Sequence, residues 1–219
     1  MDKAQFGGTT MANMYQLYWR AGSGSMVAEA ALRMAGVAFV PRNVAAKADQ
    51  QKPEFLAINP AGKIPVLVLP GGQVVFESMA IVLAIDERFP QRHLLPPILS
   101  AERATALQWL AFLACQTYPA ALRFWYPQRH TADPSEAAIA AVKAQAAADL
   151  DRDFALICAA LKGPFLLGDT LTIVDVYAAM IADWHDPATL LPAMQRLKAA
   201  MLAHDPVRVA WENHAFGTW

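Results

Sequence analysis

The sequence contains only two cysteines, no excess of charge of either sign and no long uninterrupted apolar run. Cys115 and Cys158 lie in separate helical patterns, far from CxxC spacing, which argues against a disulfide framework and favours a reducing, cytoplasmic setting. Lysine and arginine total 18 against 19 acidic residues, so no basic footprint for nucleic acid exists. Apolar runs are interrupted before the roughly 20 residues that a membrane span needs. We therefore expect no nucleic-acid partner and no membrane partner.

What the sequence does have is a hydrophobic content of 56% over 219 residues, enough for one large core or two modest ones. Residues 1–13 contain no apolar segment typical of an export signal. We expect this stretch to be a flexible, polar tail that precedes the folded part.

Residues 14–91 alternate short strand patterns with helical patterns. The predicted elements are a strand at Tyr15–Tyr18, a helix at Ser25–Met34, a strand at Ala38–Val44, a hairpin formed by Val66–Leu69 and Gln73–Phe76, and a helix at Glu77–Arg88. Pro70, Gly71 and Gly72 supply the turn of the hairpin. This β-α-β and β-β-α order predicts a small mixed sheet with helices packed on it.

After the proline-rich link His93–Pro97 the strand patterns stop, and the long segments have a period near 3.6 residues. A long helix is expected to end at Gly163 and Pro164. Thr172 stands three residues before Asp175, a spacing typical of a capping box at a helix start. Residues 97–219 are therefore predicted to form an all-helical domain.

The stretch Asn59–Leu67, followed by Phe76–Ile81, resembles the glutathione-binding signature of cytosolic glutathione S-transferases, and Gly168–Asp175 resembles the capping-box motif of their helical domain. The resemblance covers nearly the whole chain. It implies an α/β, thioredoxin-like N-terminal domain plus an all-α C-terminal domain, in agreement with the two periodicities. It also implies that residues 14–91 bind glutathione as a co-substrate, and that residues 97–219 carry the pocket for a second substrate.

In this family the proline matching Pro65 is cis, and the backbone of the residue matching Ile64 pairs with glutathione as an added strand. Glu77 and Ser78 resemble the pair that receives the γ-glutamyl end, at a helix N-terminus. Lys47 lines up with a basic position that some bacterial members use for the glycyl carboxylate, with Lys52 as the competitor. The simpler alternatives are a trans strand entry, plain helix capping and a solvated lysine.

The family places a thiol-activating tyrosine, serine or cysteine between the first strand and the first helix. Here that loop, Arg20–Ser25, has Gly24 at the cysteine position of the bacterial beta type and Gly22 near the serine position of the theta and zeta types. Ser23 is the first candidate for this role. Ser25 is a second candidate, although its position is more typical of a helix N-cap.

Two tyrosines are further candidates for activating the thiol. Tyr118 falls where some bacterial members carry a histidine that assists the thiol, and Tyr18 is a weaker candidate because a strand position favours burial. Without a cysteine at residues 23–25, a thiol-disulfide oxidoreductase is disfavoured.

The second-substrate pocket is expected between the domains, where small-molecule sites tend to lie. Aromatic and basic residues cluster near one helix end: Tyr118, Arg123, Phe124, Trp125, Tyr126 and Arg129. For Phe124 and Trp125 we favour packing against the core. Trp211, Phe216 and Trp219 either cover the pocket or cap the helical bundle. His185 and Asp186 have no further ligands at useful spacing, so we expect no metal site.

The resemblance implies a cytoplasmic, homodimeric glutathione transferase that activates the thiol for attack on an apolar electrophile. A glutathione-dependent isomerase, lyase or dehalogenase would use the same thiolate. A non-catalytic binding or interaction protein is the alternative from a different class, because a fold does not fix a function.

Overall fold

The computed structural model of the protein describes residues 13–216. Of the sequence-based expectations, the tail over residues 1–12 and a covering role for Trp219 lie outside the described residues.

The sheet has four strands in the order β2, β1, β3, β4. The strands are β1 (Tyr15–Trp19), β2 (Phe39–Asn43), β3 (Val66–Val68) and β4 (Val74–Phe76). β1 pairs with β2 in parallel, whereas β3 runs antiparallel to both β1 and β4. The central side chains Leu17 and Leu67 are fully buried, so the sheet has its core contacts along the β1 and β3 pair.

The helices follow the predicted pattern of two halves. They are α1 (Ser25–Met34), α2 (Pro53–Leu56), α3 (Ser78–Arg88), α4 (Ala101–Phe112), α5 (Tyr118–Trp125), α6 (Glu136–Ala160), α7 (Ile173–Ala182), α8 (Asp186–Thr189), α9 (Pro192–Leu202) and α10 (Asp205–Asn213). With the mixed sheet ahead of the helical half, the predicted α/β plus all-α fold class is confirmed.

Helix α1 connects the two halves. It packs on α3 of the sheet half and on α7 and α10 of the helical half, and buries every residue from Ser25 to Leu32. Helix α7 is buried over all of its residues, as expected of a helix that is apolar on every side. The capping box predicted from Thr172 and Asp175 is present at its start. One continuous hydrophobic core therefore spans both halves.

The structure corrects the expected helix starts in two places. The N-cap of α1 is Gly24 and not Ser25, which is already the first helical residue. Glu77 precedes α3 as its N-cap and does not belong to the helix. Helices α4 and α5 are joined by a π-helical segment, Leu113–Thr117, which the periodicity did not predict. Pro119 lacks the N–H that a regular ladder needs here, which favours such a shift.

Within residues 13–216, none of the helices combines the length and the apolar character needed to span a bilayer.

Candidate functional site

The strand register brings three loop segments to one end of the sheet. Val66 of β3 pairs with Tyr18 of β1 on one side and with Phe76 of β4 on the other. Continued along the strands, this register sets Ile64 between the loop that follows β1 and the start of α3. The N-termini of α1 and α3 lie at the same end, so backbone N–H groups and the positive ends of two helix dipoles meet there.

The Ile64–Pro65 peptide bond is cis, as the motif predicts. Asn59 braces the preceding turn, because its side-chain amide donates to the carbonyl of Lys63 (2.7 Å) and its oxygen accepts from the N–H of Ala61 (3.1 Å). Among the described residues, no hydrogen bond involves the backbone N–H or C=O of Ile64. Ile64 therefore offers one donor and one acceptor to an extended ligand.

The backbone favours glycine in this turn. Gly62 has a φ of +59°, and a Cβ at this position would come within 2.7 Å of the Gln51 side chain and 3.2 Å of the Gln50 carbonyl. A larger residue would therefore be strained at this φ and would displace its neighbours.

Glu77 and Ser78 stand at the start of α3. Glu77 has a φ of 69° and a ψ of 122°, a conformation that costs a non-glycine residue about 1–3 kcal/mol. Its carboxylate is exposed, whereas the Ser78 hydroxyl lies 2.8 Å from the hydroxyl of Tyr177. Tyr177 is buried, and burial raises the pKa of its phenol well above its usual range, so it keeps its proton. The sequence analysis missed Tyr177, which lies 99 positions from Ser78.

Ser23 and Ser25 form a small hydroxyl network in the loop after β1. Their hydroxyl oxygens are 2.7 Å apart, and both lie within hydrogen-bonding distance of the Arg20 carbonyl, at 2.7 Å for Ser23 and 3.0 Å for Ser25. Ser25 also accepts from the N–H of Arg20 (3.1 Å). Ser23 is partly exposed and Ser25 is fully buried, so of the two hydroxyls only that of Ser23 can reach a ligand.

Tyr118 faces the same loop from α5. A Cβ added to Gly24 would lie 2.7 Å from the Tyr118 hydroxyl, so the glycine makes room for the phenol. Burial raises the pKa of Tyr118 to about 12, and a backbone hydrogen bond with Gly24 works against that rise. The hydroxyl therefore keeps its proton at neutral pH and can act as a hydrogen-bond donor. Tyr18, in contrast, packs its ring on Phe55, 6.0 Å between centroids, in a small core beside α2.

Helix α1 carries a buried carboxylate. Glu29 accepts hydrogen bonds from Arg33 (2.7 Å) and Asn213 (2.7 Å) and lies 3.1 Å from Nε2 of His214. Burial opposes ionisation, but the hydrogen bonds from His214, Asn213 and Arg33 together lower the pKa of Glu29. The sequence analysis missed this cluster, because Glu29 lies 184 and 185 positions from Asn213 and His214.

Of the two candidate lysines, Lys52 pairs with Asp49 (2.7 Å), whereas no carboxylate of residues 13–216 pairs with Lys47. Lys47 instead holds its ammonium over the ring of Tyr126, 5.3 Å from the centroid. The guanidinium of Arg129 lies over the same ring at 4.0 Å. Burial, Arg129 and Arg20 lower the pKa of Lys47, so three cations share this neighbourhood.

The rest of the aromatic and basic cluster divides between surface and core. Arg123 forms an ion pair with Asp149 of α6 (3.1 Å), and Phe124 packs against the core. Trp125 is 56% exposed, so the expectation that it joins the core is wrong. Its indole N–H donates to the carbonyl of Trp184 (2.7 Å), while much of the ring remains exposed.

Two of the C-terminal aromatic residues pack together. Trp211 is buried in the core, and Phe216 packs against it with 4.9 Å between ring centroids. Both therefore close the helical bundle.

His185 lies 2.8 Å from Asp151 and is buried. No cluster of three potential metal ligands occurs in the part of the chain that the structure describes.

The sequence matches two family models, one for each half. Residues 25–88 match the N-terminal domain of glutathione S-transferases, and residues 111–199 match the C-terminal domain. The glutathione S-transferase GstA of Escherichia coli O157:H7 is 27% identical, over 77% of this chain and 81% of its own length.

Solved structures show the same likeness. A glutathione transferase from Methylococcus capsulatus is 28% identical with a TM-score of 0.77, covering 92% of this chain and 98% of its own. A glutathione transferase homologue from Sulfitobacter, solved with bound glutathione, has a TM-score of 0.82 at 24% identity, over 91% of this chain and 98% of its own.

Proposed function

The chain belongs to the glutathione S-transferase family, and from this membership we propose that it is a cytoplasmic glutathione transferase. It binds glutathione, lowers the pKa of its thiol and directs the thiolate at an electrophilic small molecule. The observation that carries this proposal is the unpaired backbone of Ile64, which the strand register sets between the loop Arg20–Ser25 and the start of α3.

Glutathione has groups that match the three segments. The cysteinyl part pairs with the N–H and C=O of Ile64, in the manner of an added strand. The γ-glutamyl carboxylate accepts from the Ser78 hydroxyl and N–H at the N-terminus of α3. The ammonium meets Glu77, and the glycyl carboxylate meets Lys47. The protonated Tyr177 supports this assignment, because its O–H can donate to Ser78 and leave the Ser78 proton for the ligand.

The thiol would be activated by the loop after β1. A cysteine thiol of pKa about 8.5 is only a few per cent ionised at pH 7, and a decrease of about two units makes most of it thiolate. The Ser23 hydroxyl can turn from the Arg20 carbonyl to a thiolate, because Ser25 remains bonded to that carbonyl. Tyr118 is a second donor. The positive end of α1 adds to both.

The intrinsic nucleophilicity of a thiolate falls as the pKa of its thiol falls, and this loss offsets much of the rate gained from ionisation. Holding the sulfur beside the electrophile must therefore supply the larger part of the rate. On this basis the transferase, isomerase and dehalogenase reactions share one activated thiolate and differ in the second substrate.

Titration calorimetry with glutathione, followed by turnover of a chlorodinitrobenzene, tests the proposal. We expect binding at millimolar concentration or below, and a conjugation rate that depends on the enzyme. No heat of binding at millimolar glutathione would contradict the proposal.

One observation favours a non-catalytic binding protein as the second candidate. Both loop hydroxyls are bonded within the protein, to each other and to Arg20. Glutathione binding without a change in the thiol pKa, and without turnover, would be the signature of that alternative.

A further inference from the structure

We propose that the second substrate carries an anionic group, such as a carboxylate, which Arg129 binds at the edge of the Tyr126 ring. This inference rests on the proposed function and concerns the surface next to the same site. It replaces the expected apolar electrophile with one that has an apolar body and a negatively charged end.

Three cations lie close together near the loop after β1. Arg20, Lys47 and Arg129, which we call the cationic cluster, come from separate parts of the chain: the loop after β1, the segment before α2 and the turn after α5. The Lys47 ammonium and the Arg129 guanidinium lie over the ring of Tyr126, at 5.3 Å and 4.0 Å from its centroid. Arg20 lowers the pKa of both Lys47 and Tyr118, so the cluster lies near the loop Arg20–Ser25 that Tyr118 faces.

None of these three cations is paired with a carboxylate of the described chain. Within residues 13–216 the ion pairs of the protein leave Arg20, Lys47 and Arg129 without a carboxylate. In contrast, two nearby cations do form ion pairs, Arg123 with Asp149 and Lys52 with Asp49. The positive charge of the cluster is therefore available to an anionic ligand.

The charges that glutathione carries leave Arg129 without a partner. Its ammonium and α-carboxylate are assigned to Glu77 and Ser78, and its glycyl carboxylate to Lys47. The thiolate, assigned to the loop that begins at Arg20, adds one negative charge. Arg129 then remains uncompensated in the bound state, and the electrophile is the one remaining reactant that can supply an anion.

The surroundings of Arg129 suit an aromatic or unsaturated anion. A guanidinium over a tyrosine ring keeps N–H groups available for a bidentate contact with a carboxylate. Trp125, the neighbour of Tyr126, exposes 56% of its surface and can cover an apolar ring. An aromatic carboxylate would thus find its charge and its ring matched by adjacent residues.

The test uses two glutathione conjugates that differ by one charge, S-benzylglutathione and S-(para-carboxybenzyl)glutathione. Calorimetry should show the carboxylated conjugate binding about fivefold more tightly to the wild-type protein, the upper range for one exposed ion pair. Arg129→Gln should abolish this preference and leave the Kd of glutathione within about twofold. The matched control is Arg123→Gln, which should retain the preference because Arg123 already pairs with Asp149.

Turnover gives the same comparison by rate. Relative to the wild-type protein, the ratio of kcat/KM for a chlorodinitrobenzoate to that for chlorodinitrobenzene should fall in Arg129→Gln. The ratio should remain unchanged in Arg123→Gln. Equal affinity of the wild-type protein for the two conjugates would overturn the inference. So would a parallel loss of all three ligands, glutathione included, in Arg129→Gln, since the cation would then belong to glutathione itself. Failure of the wild-type protein to bind glutathione at all would instead overturn the proposed function, and this inference with it.

Discussion

The backbone N–H of Gly22 donates a hydrogen bond of 3.0 Å to the carbonyl oxygen of His214. This bond fixes the loop Arg20–Ser25, which follows β1, to the end of α10. The ring of His214 in turn lies 3.1 Å from the buried carboxylate of Glu29. The position of Ser23 therefore depends on the cluster of Glu29, Arg33, Asn213 and His214.

We first predict that Glu29→Gln destabilises the protein by about 3 kcal/mol, the scale for removing one member of a buried charged cluster. Because the folded state lowers the pKa of Glu29 below 4.5, its ionised form stabilises the fold above that pH, and this contribution is lost as the pH falls through the lowered value. Chemical denaturation from pH 3 to pH 7 should thus show a shallower acid decline in the variant.

The control for Glu29 is Glu212→Gln, which removes an exposed ion pair with Arg208 and should leave the acid decline unchanged. Hydrogen exchange supplies a local measurement, since the Gly22 amide should exchange faster in Glu29→Gln. An unchanged Gly22 exchange rate would show that the cluster does not hold the loop.

Ser23→Ala should raise the pKa of the bound glutathione thiol by about one unit, because a hydrogen bond to the thiolate is lost. The affinity for glutathione should stay nearly unchanged, since Ile64, Glu77 and Ser78 carry the binding. Thiolate absorbance measured against pH reports the pKa, and calorimetry reports the affinity.

Two variants serve as controls for Ser23. Ser25→Ala should cost about 1 kcal/mol of stability, because a buried hydrogen bond to Arg20 is lost, with a smaller change in the thiol pKa. An unshifted titration curve in Ser23→Ala, combined with a shift in Tyr118→Phe, would transfer the activating role to Tyr118.

Two substitutions of Glu77 should distinguish its effect on backbone strain from its effect on glutathione binding. Glu77→Gly should raise the free energy of unfolding by about 1 kcal/mol relative to Glu77→Ala, because a φ of 69° suits glycine. Both variants should bind glutathione at least about tenfold more weakly, since each lacks the carboxylate that meets the ammonium. Retained affinity in Glu77→Ala would remove Glu77 from the binding site, whatever the stability result.

Tyr177→Phe should cost about 1 kcal/mol of stability and weaken glutathione binding severalfold, because Ser78 loses the donor that orients it. The comparison is Ser78→Ala. If Tyr177 acts through Ser78, the double variant should bind glutathione as Ser78→Ala does. Fully additive losses would indicate that Tyr177 affects binding by another route.

We also expect a homodimer. Val74 and Phe76 on the edge strand β4 are 37% and 41% exposed, an apolar edge that a second copy can cover. Light scattering should give twice the 23.8 kDa of one chain, and Phe76→Glu should shift the mass toward 23.8 kDa. Leu190→Glu is the control, since Leu190 is 72% exposed outside the sheet. A wild-type mass near 23.8 kDa at micromolar concentration would contradict the dimer.

The sequence predicted what local patterns encode. The change of period after the link His93–Pro97 separated the sheet half from the helical half, and the Ile64–Pro65 motif predicted the cis bond. Contacts between distant segments carry no local signal, so Tyr177 beside Ser78 and His214 beside Glu29, 185 positions apart, were missed.

Local sequence patterns also could not predict whether a single aromatic residue is buried. Helical spacing placed Phe124 and Trp125 together, but it could not show that Phe124 packs against the core while the ring of Trp125 turns to solvent. That difference depends on where α6 lies, a feature of tertiary packing.

The contact between Gly24 and Tyr118 has an evolutionary consequence. A cysteine at position 24 would bring its Cβ to 2.7 Å from the phenol oxygen, so the Tyr118 side chain would have to shift to make room for it. A lineage that gained a cysteine in this loop would therefore also have to move or replace the tyrosine. The residues at positions 24 and 118 are coupled by this contact, and a change at one alters the space available at the other.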